Sequence, residues 1–308
     1  MELSDYALLS EEELAERIGE LKRERDAVIL GHNYQVDSVQ RVSDHLGDSL
    51  ELAHLATRTD ASLIVLCGVL FMAESAKMLN PDKKVIIPSR SAGCPMADMI
   101  DAEELRSFKE QHPGVPVVCY VNTSAEVKAE SDVCCTSSNA VRIVRALGSD
   151  RVLFVPDRNL GAYVATKVDA EVISWDGHCY VHNMFLSEDV ELAKAEHPGV
   201  PVVVHPECPP DVIAAADLVA STGGMMKLAG EHERLIVGTE IGMLDRMNRE
   251  YPKKDFYPLS AFAVCRNMKM TDLPRLAWAL EHGQHEVVVP QDTLVRARAT
   301  LERMLELS

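Results

Sequence analysis

The chain has 308 residues, of which 47% are hydrophobic and only 5% aromatic, and its formal net charge is -17. A chain of this length can bury a large core in one domain or in several. Its acidic surface repels nucleic-acid backbones and anionic lipid, so we expect neither nucleic acid nor a membrane as a partner.

The first 24 residues are predicted to form an N-terminal helical segment. They are rich in Glu and contain no basic stretch leading into an apolar run, which argues against a signal peptide. No segment approaches the roughly 20 apolar residues of a membrane-spanning helix. We therefore expect a cytoplasmic protein.

Eight cysteines occur, at positions 67, 94, 119, 134, 135, 179, 208 and 265, and no two of them form a CxxC pair. In a cytoplasmic chain this number of cysteines indicates metal or redox chemistry rather than disulfides. The spacing excludes a zinc ribbon or a ferredoxin run. A metal site must therefore be assembled from distant parts of the chain.

The chain contains an internal repeat. The segment His-Pro-Gly-Val-Pro-Val-Val stands at 112–118 and again at 197–203, an interval of 85 residues. Each copy leads into a β-branched run that predicts a buried strand. A third apolar run, Val28 to Leu30, predicts the corresponding strand nearer the N-terminus.

Four polar residues follow each of the three predicted strands. In every set the second, third and fourth residues lie 2, 12 and 17 positions after the first. The three sets are His32, Tyr34, Asp44 and Ser49; Tyr120, Asn122, Asp132 and Ser137; and His205, Glu207, Asp217 and Thr222. Recurrence that only preserves packing would favour apolar residues and glycines. Polar residues at strand ends instead indicate ligand binding, because open parallel sheets bind ligands there.

Strands alternate with helices in the predicted pattern. In the third copy the predicted strands are 202–204, 218–220 and 235–238, and the predicted helices are 209–216, 224–231 and 241–250. This alternation is typical of parallel βαβ units. We predict an α/β fold of three small α/β/α domains, related by pseudo-threefold symmetry around a central active site. Their predicted bounds are 25–110, 111–195 and 196–308, the last with a C-terminal helix.

Three cysteines follow the repeat. Cys94, Cys179 and Cys265 lie 85 and 86 residues apart, each just past a predicted strand at 85–87, 172–174 or 260–264. Thiolates from three symmetry-related units can meet on one axis and bind a soft metal centre. Three ligands are one short for structural zinc, whereas a [4Fe-4S] cluster held by three cysteines keeps one iron open to substrate. The other five cysteines are predicted to be small core residues.

Three hydroxyl residues also recur in phase. Ser49, Ser137 and Thr222 each precede a predicted helix, where they would cap free N–H groups or mark helix N-termini aimed at one anionic ligand. The glycines after Thr222 let the backbone approach closely. The remaining recurrent polar residues offer acid, base and hydrogen-bonding groups to a small substrate. His182 either lines the cysteine pocket or is exposed.

Eight motifs together resemble the quinolinate synthase family and span nearly the whole chain in the family's order. They begin at Gly31-His32-Asn33-Tyr34, Gly47-Asp48-Ser49-Leu50, Gly93-Cys94-Pro95, Tyr120-Val121-Asn122, Cys135-Thr136-Ser137, Val204-His205-Pro206-Glu207, Ser221-Thr222-Gly223 and Asn267-Met268-Lys269. Some family members carry extra cysteines around the last ligand. Here Cys265 stands alone, which removes a possible CxxC redox switch.

The resemblance implies an enzyme that condenses iminoaspartate, supplied by an aspartate-oxidising enzyme, with dihydroxyacetone phosphate to give quinolinate, the precursor of NAD. It implies a [4Fe-4S] cluster on Cys94, Cys179 and Cys265, and proton transfer by Tyr34, His205 and Glu207. The implied substrate contacts are His32, Ser49, Tyr120, Asn122, Ser137, His205, Glu207 and Thr222. The roles of His182 and Lys269 stay open.

Two other classes of protein fit the residues. One is a non-catalytic iron–sulfur sensor or electron carrier, although no DNA-binding motif supports a regulator and a carrier has no use for the polar sets. The other is a zinc-dependent lyase in which His182 completes a site with the three cysteines. Iron and sulfide content distinguishes these classes from one another.

Overall fold

The computed structural model describes all 308 residues, and twelve strands form three parallel sheets. The first sheet contains β1 (Ala27–His32), β2 (His45–Gly47), β3 (Leu63–Cys67) and β4 (Lys84–Ile86). The second contains β5 (Val117–Tyr120), β6 (Val133–Cys135), β7 (Arg151–Val155) and β8 (Glu171–Ser174). The third contains β9 (Val202–Val204), β10 (Leu218–Val219), β11 (Arg234–Gly238) and β12 (Asp255–Pro258).

Fifteen α-helices precede, connect and follow these strands. They are α1 (Leu3–Tyr6), α2 (Glu11–Glu24), α3 (Asp37–Val42), α4 (Ser49–Arg58), α5 (Leu70–Leu79), α6 (Ala102–Gln111), α7 (Ala125–Ala129), α8 (Ala140–Leu147), α9 (Arg158–Ala165), α10 (Ser187–Glu196), α11 (Pro210–Ala215), α12 (Thr222–Glu231), α13 (Gly242–Glu250), α14 (Leu273–His282) and α15 (Gln291–Leu307). Short 3₁₀ helices lie at Ala97–Met99, His182–Met184 and Met268–Met270.

All three sheets have the same topology. Their strand orders are β2-β1-β3-β4, β6-β5-β7-β8 and β10-β9-β11-β12, and every pair is parallel. The predicted α/β fold of three repeated units is therefore confirmed. In each sheet the strand order changes direction between the two central strands: β1 and β3, β5 and β7, or β9 and β11. Open α/β sheets bind ligands at this switch point. Each sheet lies within one predicted domain range, while the domain bounds themselves stay a prediction.

The strands are apolar because helices cover both faces of each sheet. Ile29 and Leu30 in β1 are buried, as are Val202 to Val204 in β9. The five cysteines outside the repeat are also buried, as predicted.

The recurrent aspartates serve the fold and do not line the central cavity described below. Asp44, Asp132 and Asp217 each precede the second strand of a sheet and accept a hydrogen bond from an N–H of the first strand. The bonds run from Ile29 N to Asp44 Oδ2 (2.8 Å), from Val117 N to Asp132 Oδ2 (2.7 Å) and from Val202 N to Asp217 Oδ2 (2.8 Å). Part of the recurrent polar pattern therefore orders the first strands.

One predicted strand is wrong. Residues 260–264 form a turn and irregular backbone, and the strand lies earlier, at β12, where it pairs with β11 from Arg234 to Val237. The apolar letters of this segment suggested burial, but Phe262 is 82% exposed. The segment is part of the loop that leads to Cys265 and forms no strand of the sheet.

The terminal helices join the repeats to one another. At the N-terminal end, α1 and α2 pack against α14, so the predicted N-terminal helical segment is helical. The C-terminal helix α15 follows the third repeat in sequence but packs on α7 and β6 of the second repeat and on α5 of the first. No helix is both long and apolar enough to cross a membrane.

Candidate active site

The strand ends of the three sheets surround one central cavity. Every residue predicted for the site lines it, although the roles of these residues stay predictions. They are His32, Tyr34, Ser49, Cys94, Tyr120, Asn122, Ser137, Cys179, His205, Glu207, Thr222 and Cys265. His182 lines the same cavity and is 2% exposed, so it is not a surface residue.

Each cavity cysteine begins the same backbone turn. Its carbonyl accepts the N–H of the residue four positions later, and a 3₁₀ helix starts three positions after the cysteine. The N···O distances are 3.2 Å from Asp98 to Cys94, 2.9 Å from Asn183 to Cys179 and 3.3 Å from Lys269 to Cys265. The three repeats therefore present their thiols in the same way.

The chemistry of these thiols suits a soft metal centre. Of the eight cysteines, only Cys94, Cys179 and Cys265 are partly exposed. Burial of the thiol groups raises the pKa of all three, to about 12 for Cys94. Backbone N–H groups at the start of each 3₁₀ helix lower the pKa in turn. A bound metal would complete the deprotonation that these N–H groups favour.

A second group of donors lies beside one of the thiols. The ligand atoms of Cys179, His182 and Glu207 all lie within 4.8 Å of one another. A single metal ion fits this group. The sulfurs of the three cavity cysteines do not all lie within 4.8 Å of one another, so they do not form such a group. Sulfurs on one tetrahedral zinc would lie roughly 3.8 Å apart, given Zn–S bonds of about 2.3 Å. A cubane binds each sulfur to a different iron and therefore accepts wider spacing.

Two buried histidines adopt matching conformations in the first and third repeats. The N–H of Tyr34 donates to His32 Nδ1 (3.1 Å), and the N–H of Glu207 donates to His205 Nδ1 (3.3 Å). Burial lowers the pKa of both imidazoles to about 3. Each ring is therefore neutral, and since Nδ1 accepts, its proton is on Nε2. Both rings bring a neutral hydrogen-bond donor to the cavity.

These histidines should make the apoprotein acid-labile. Their pKa is about 3 in the folded state and about 6.5 in the unfolded state. Their contribution to the free energy of unfolding is therefore complete above pH 6.5 and decreases as the pH falls toward 3. At pH 5 the loss is about 2 kcal/mol per histidine. We expect His32→Gln and His205→Gln each to weaken the fall in melting temperature between pH 6.5 and 5, measured by circular dichroism.

The exposed His45 supplies the control for this experiment. His45→Gln should follow the wild-type dependence on pH. Equal slopes for all four proteins would show that neither buried ring is held neutral.

A chain of close polar contacts crosses the cavity wall and joins all three repeats. Tyr34 Oη lies 2.5 Å from Thr239 Oγ1, which lies 2.8 Å from His182 Nε2. His182 Nδ1 lies 2.6 Å from Glu207 Oε2, although its N–H is not aligned as a hydrogen bond. Tyr120 donates its hydroxyl proton to Glu207 Oε1.

The two ends of this chain of contacts differ in charge. Burial and the nearby Glu207 raise the pKa of Tyr34 well above its usual value, so its hydroxyl is protonated. Burial alone would raise the pKa of Glu207, but the adjacent His182 and the hydrogen bond from Tyr120 lower that pKa below its usual range. A protonated phenol and a carboxylate therefore face the same cavity.

None of the three recurrent hydroxyl residues caps a helix, contrary to the prediction. Ser49 and Thr222 are the first residues of α4 and α12, and the caps are Asp48 and Ser221. Ser137 lies before α8, whose cap position is Asn139. The cap residues satisfy the first N–H groups, which leaves the hydroxyls of Ser49 and Thr222 for other partners.

Asp48 modifies the predicted anion site. Its Oδ1 accepts from the N–H groups of Leu50 and Glu51, both at 2.9 Å. A Cβ on Gly223 would lie 2.9 Å from Asp48 Oδ2, so this carboxylate also lies beside the first turn of α12. Asp48 therefore adds negative charge at two of the three helix N-termini, which the hydroxyl pattern did not reveal.

The cavity also contains an unpaired polar atom. The side-chain oxygen of Asn122 is buried and has no hydrogen-bond partner in the protein. Leaving such a group unpaired costs about 1–3 kcal/mol, which indicates that a ligand supplies the missing partner.

Thr239 and Glu240 were missed by the sequence analysis. Thr239 contacts Tyr34 and His182, and Glu240 lines the cavity. Both directly follow β11. Extending the repeat alignment to the third strand of each sheet would have revealed Glu240, which matches Asp157, but not Thr239, which matches Gly68 and Pro156.

The fold and the site define a class of protein: a three-repeat α/β protein with a buried polar site at its centre and one cavity cysteine from each repeat. The family model described as Quinolinate synthetase A protein matches residues 16–306. The chain belongs to the quinolinate synthase family.

Relatives from bacteria and an archaeon match nearly the full chain. The quinolinate synthase of Dehalococcoides mccartyi is 54% identical over 294 residues, which cover 95% of this chain and 97% of that protein. The quinolinate synthase of Alkaliphilus metalliredigens is 49% identical over 302 residues, covering 97% and 100%. That of Methanoregula boonei is 50% identical over 307 residues, covering 99% and 100%.

Proposed function

We propose that this protein is a quinolinate synthase that condenses iminoaspartate with dihydroxyacetone phosphate. The products are quinolinate, phosphate and two waters, and quinolinate feeds NAD biosynthesis. One observation carries the proposal: the cavity cysteine of each repeat and the polar residues after each first strand line the same cavity. An aspartate-oxidising enzyme is the proposed source of iminoaspartate. Eight unpaired cysteines suit the reducing cytoplasm.

Substrate binding is assigned mainly to neutral donors. No Lys or Arg lines the cavity, so the carboxylates and phosphate of the substrates cannot form direct ion pairs with its lining. The Nε2–H groups of His32 and His205 and the hydroxyls of Ser49, Ser137 and Thr222 are available instead. Such donors bind anions well in a site from which water is excluded, because the low dielectric strengthens each hydrogen bond. The Asn122 amide adds a further contact.

A [4Fe-4S] cluster fits the residues present. Cys94, Cys179 and Cys265 would hold it, and their adjacent backbone N–H groups stabilise the thiolate form. When bound, the cluster would supply an open iron as a Lewis acid for the dehydration chemistry.

The polar contacts across the cavity wall supply proton transfer. Tyr34 can donate its proton to a substrate atom, and Thr239 connects it to His182 through contacts of 2.5 and 2.8 Å. Glu207 is the proton acceptor and takes a proton from a second substrate atom. Both groups line the cavity, so each proton moves directly between side chain and substrate. His205 stacks on His182 at 4.4 Å between ring centroids and helps to fix its orientation.

A single-metal lyase is the second candidate. The group formed by Cys179, His182 and Glu207 supports it, although this set differs from the three cysteines plus His182 expected from sequence. A sensor or electron carrier is less well supported, because it has no use for a cavity lined by a protonated phenol and a carboxylate.

Anaerobic purification tests these candidates directly. We expect a brown protein with about four irons and four sulfides per chain. With dihydroxyacetone phosphate and iminoaspartate generated in place by an aspartate oxidase, quinolinate should form and be detected by chromatography. A colourless zinc protein would support the lyase, and an iron–sulfur protein that forms no quinolinate would support the sensor.

A further inference from the structure

Two buried carboxylates occupy equivalent positions in the second and third repeats. Asp157 lies two residues after the end of β7, and Glu240 lies two residues after the end of β11. Both residues are 0% exposed. Burying a carboxylate is costly unless several hydrogen bonds compensate, so the partners of these groups indicate why they are there.

Each carboxylate binds the backbone of a cavity cysteine. Asp157 Oδ2 accepts from the N–H of Cys179 at 3.2 Å, and Glu240 Oε1 accepts from the N–H of Cys265 at 3.0 Å. The matching bond in two repeats indicates one shared purpose.

The second oxygen of each carboxylate binds the start of the following helix. Asp157 Oδ1 accepts from the N–H of Leu160 at 2.8 Å and so caps α9. Glu240 Oε2 accepts from the N–H of Gly242 at 2.8 Å. Each carboxylate therefore connects a cysteine turn to a helix that is anchored in the fold.

Lys269 completes the arrangement in the third repeat. Its Nζ lies 2.9 Å from Glu240 Oε1 and also donates to the carbonyl of Tyr34 at 2.6 Å. A Cβ on Gly242 would lie 2.6 Å from Lys269 Nζ and 2.9 Å from the backbone carbonyl oxygen of Gln35, so glycine lets Lys269 approach here. Lys269 thus compensates the buried charge of Glu240 and links it to the first repeat.

The first repeat lacks this device. Val69 occupies the corresponding position, two residues after the end of β3. The main chain holds the loop there instead, through a bond of 2.8 Å from the N–H of Leu70 to the carbonyl of Ala92. The carboxylates are thus additions to two cysteine turns and not a requirement of the fold.

We propose that Asp157 and Glu240 are positioning residues that hold the Cys179 and Cys265 turns in the geometry that retains the cluster. This role rests on the proposed iron–sulfur site. Fixing the backbone before the cluster binds lowers the entropy cost of ordering the ligands. Loss of either bond should therefore speed the release of iron more than it weakens the apoprotein.

The test uses Asp157→Ser and Glu240→Ala in the full chain, purified without oxygen. Serine preserves the cap of α9 but cannot reach the N–H of Cys179 as well, so folding is retained. We measure iron release to a chelator by the loss of visible absorbance, and the melting temperature of each apoprotein. Release should become about 10-fold faster or more in both variants, because each loses a charge-assisted hydrogen bond.

Conservative and matched variants complete the design. Asp157→Asn and Glu240→Gln keep one acceptor oxygen, which can serve either the cysteine N–H or the helix N–H but not both. Their iron release should lie between that of the wild type and that of Asp157→Ser and Glu240→Ala. Glu74 also accepts a backbone N–H, from Ala125 at 3.2 Å, but accepts no hydrogen bond from a cysteine turn. Glu74→Ala should release iron at the wild-type rate.

Three results would overturn the role: wild-type release rates in Asp157→Ser and Glu240→Ala, equal acceleration in Glu74→Ala, or acceleration that only follows the fall in apoprotein melting temperature. A wild-type protein without iron would instead contradict the proposed function itself, and this role with it.

Discussion

Replacement of any one of Cys94, Cys179 and Cys265 by serine should remove the cluster and abolish quinolinate formation. Each thiol comes from a different repeat, so no neighbouring cysteine can substitute for it. Serine is nearly isosteric but is a poor ligand for soft iron. We expect iron to fall from about four per chain to near zero. Activity should fall by about 10³-fold or more, since the open iron would be lost with the cluster.

Cys67→Ala is the matched control. Cys67 is fully buried in β3 and lies in the core, not in the cavity. This variant should keep its iron, its colour and its activity, with only a modest loss of thermal stability. If one of the three serine variants retained four irons and full turnover, that cysteine would not be a ligand and the proposed cofactor site would have to be abandoned.

Replacement of Glu207 by Gln should abolish turnover while leaving the iron content unchanged. Glutamine keeps an oxygen that can accept the hydroxyl proton of Tyr120, so the local packing is preserved. The neutral amide cannot take up a proton from the substrate. Positioned acid–base groups typically contribute about 10²–10⁴-fold, and we expect a loss in kcat of this size.

The result for Glu207 depends on measuring iron and kcat on the same preparation. The carboxylate also belongs to the ligand group with Cys179 and His182, so a metal ligand would lose its metal when changed to Gln. Loss of kcat with full iron supports proton transfer. Loss of both would favour the single-metal lyase, and unchanged kcat would remove Glu207 from the mechanism.

The repeat made most of the fold and site predictable. A seven-residue identity set the frame, and the equal offsets after β1, β5 and β9 then brought distant residues such as His32 and His205 into one site. Polar residues kept at equivalent strand ends are informative because symmetry places them around a common axis.

The features that were missed depend on tertiary contacts. Thr239 matches Gly68 and Pro156 in the other repeats, so the pattern gave no signal for it. Glu240 matches Asp157 of the second repeat, but this position follows the third strand of the sheet, beyond the strands that set the frame. The segment 260–264 has apolar letters but lies in a loop, because β12 already supplies the edge strand of its sheet. Asp48 places its negative charge beside the N-terminus of α12, a helix from another repeat, and only the tertiary structure shows this contact.

The packing of α15 has a consequence for the order of biogenesis. This helix packs against the first and second repeats. Leu301 and Met304 line a small space that Ser49 also borders. Thr300 Oγ1 lies 3.2 Å from Cys134 Sγ. During translation all three repeats leave the ribosome before α15 does, so the wall behind Ser49 is finished last. We therefore expect the proposed cluster to be inserted only after synthesis has passed this helix, into a chain whose sheets are already assembled.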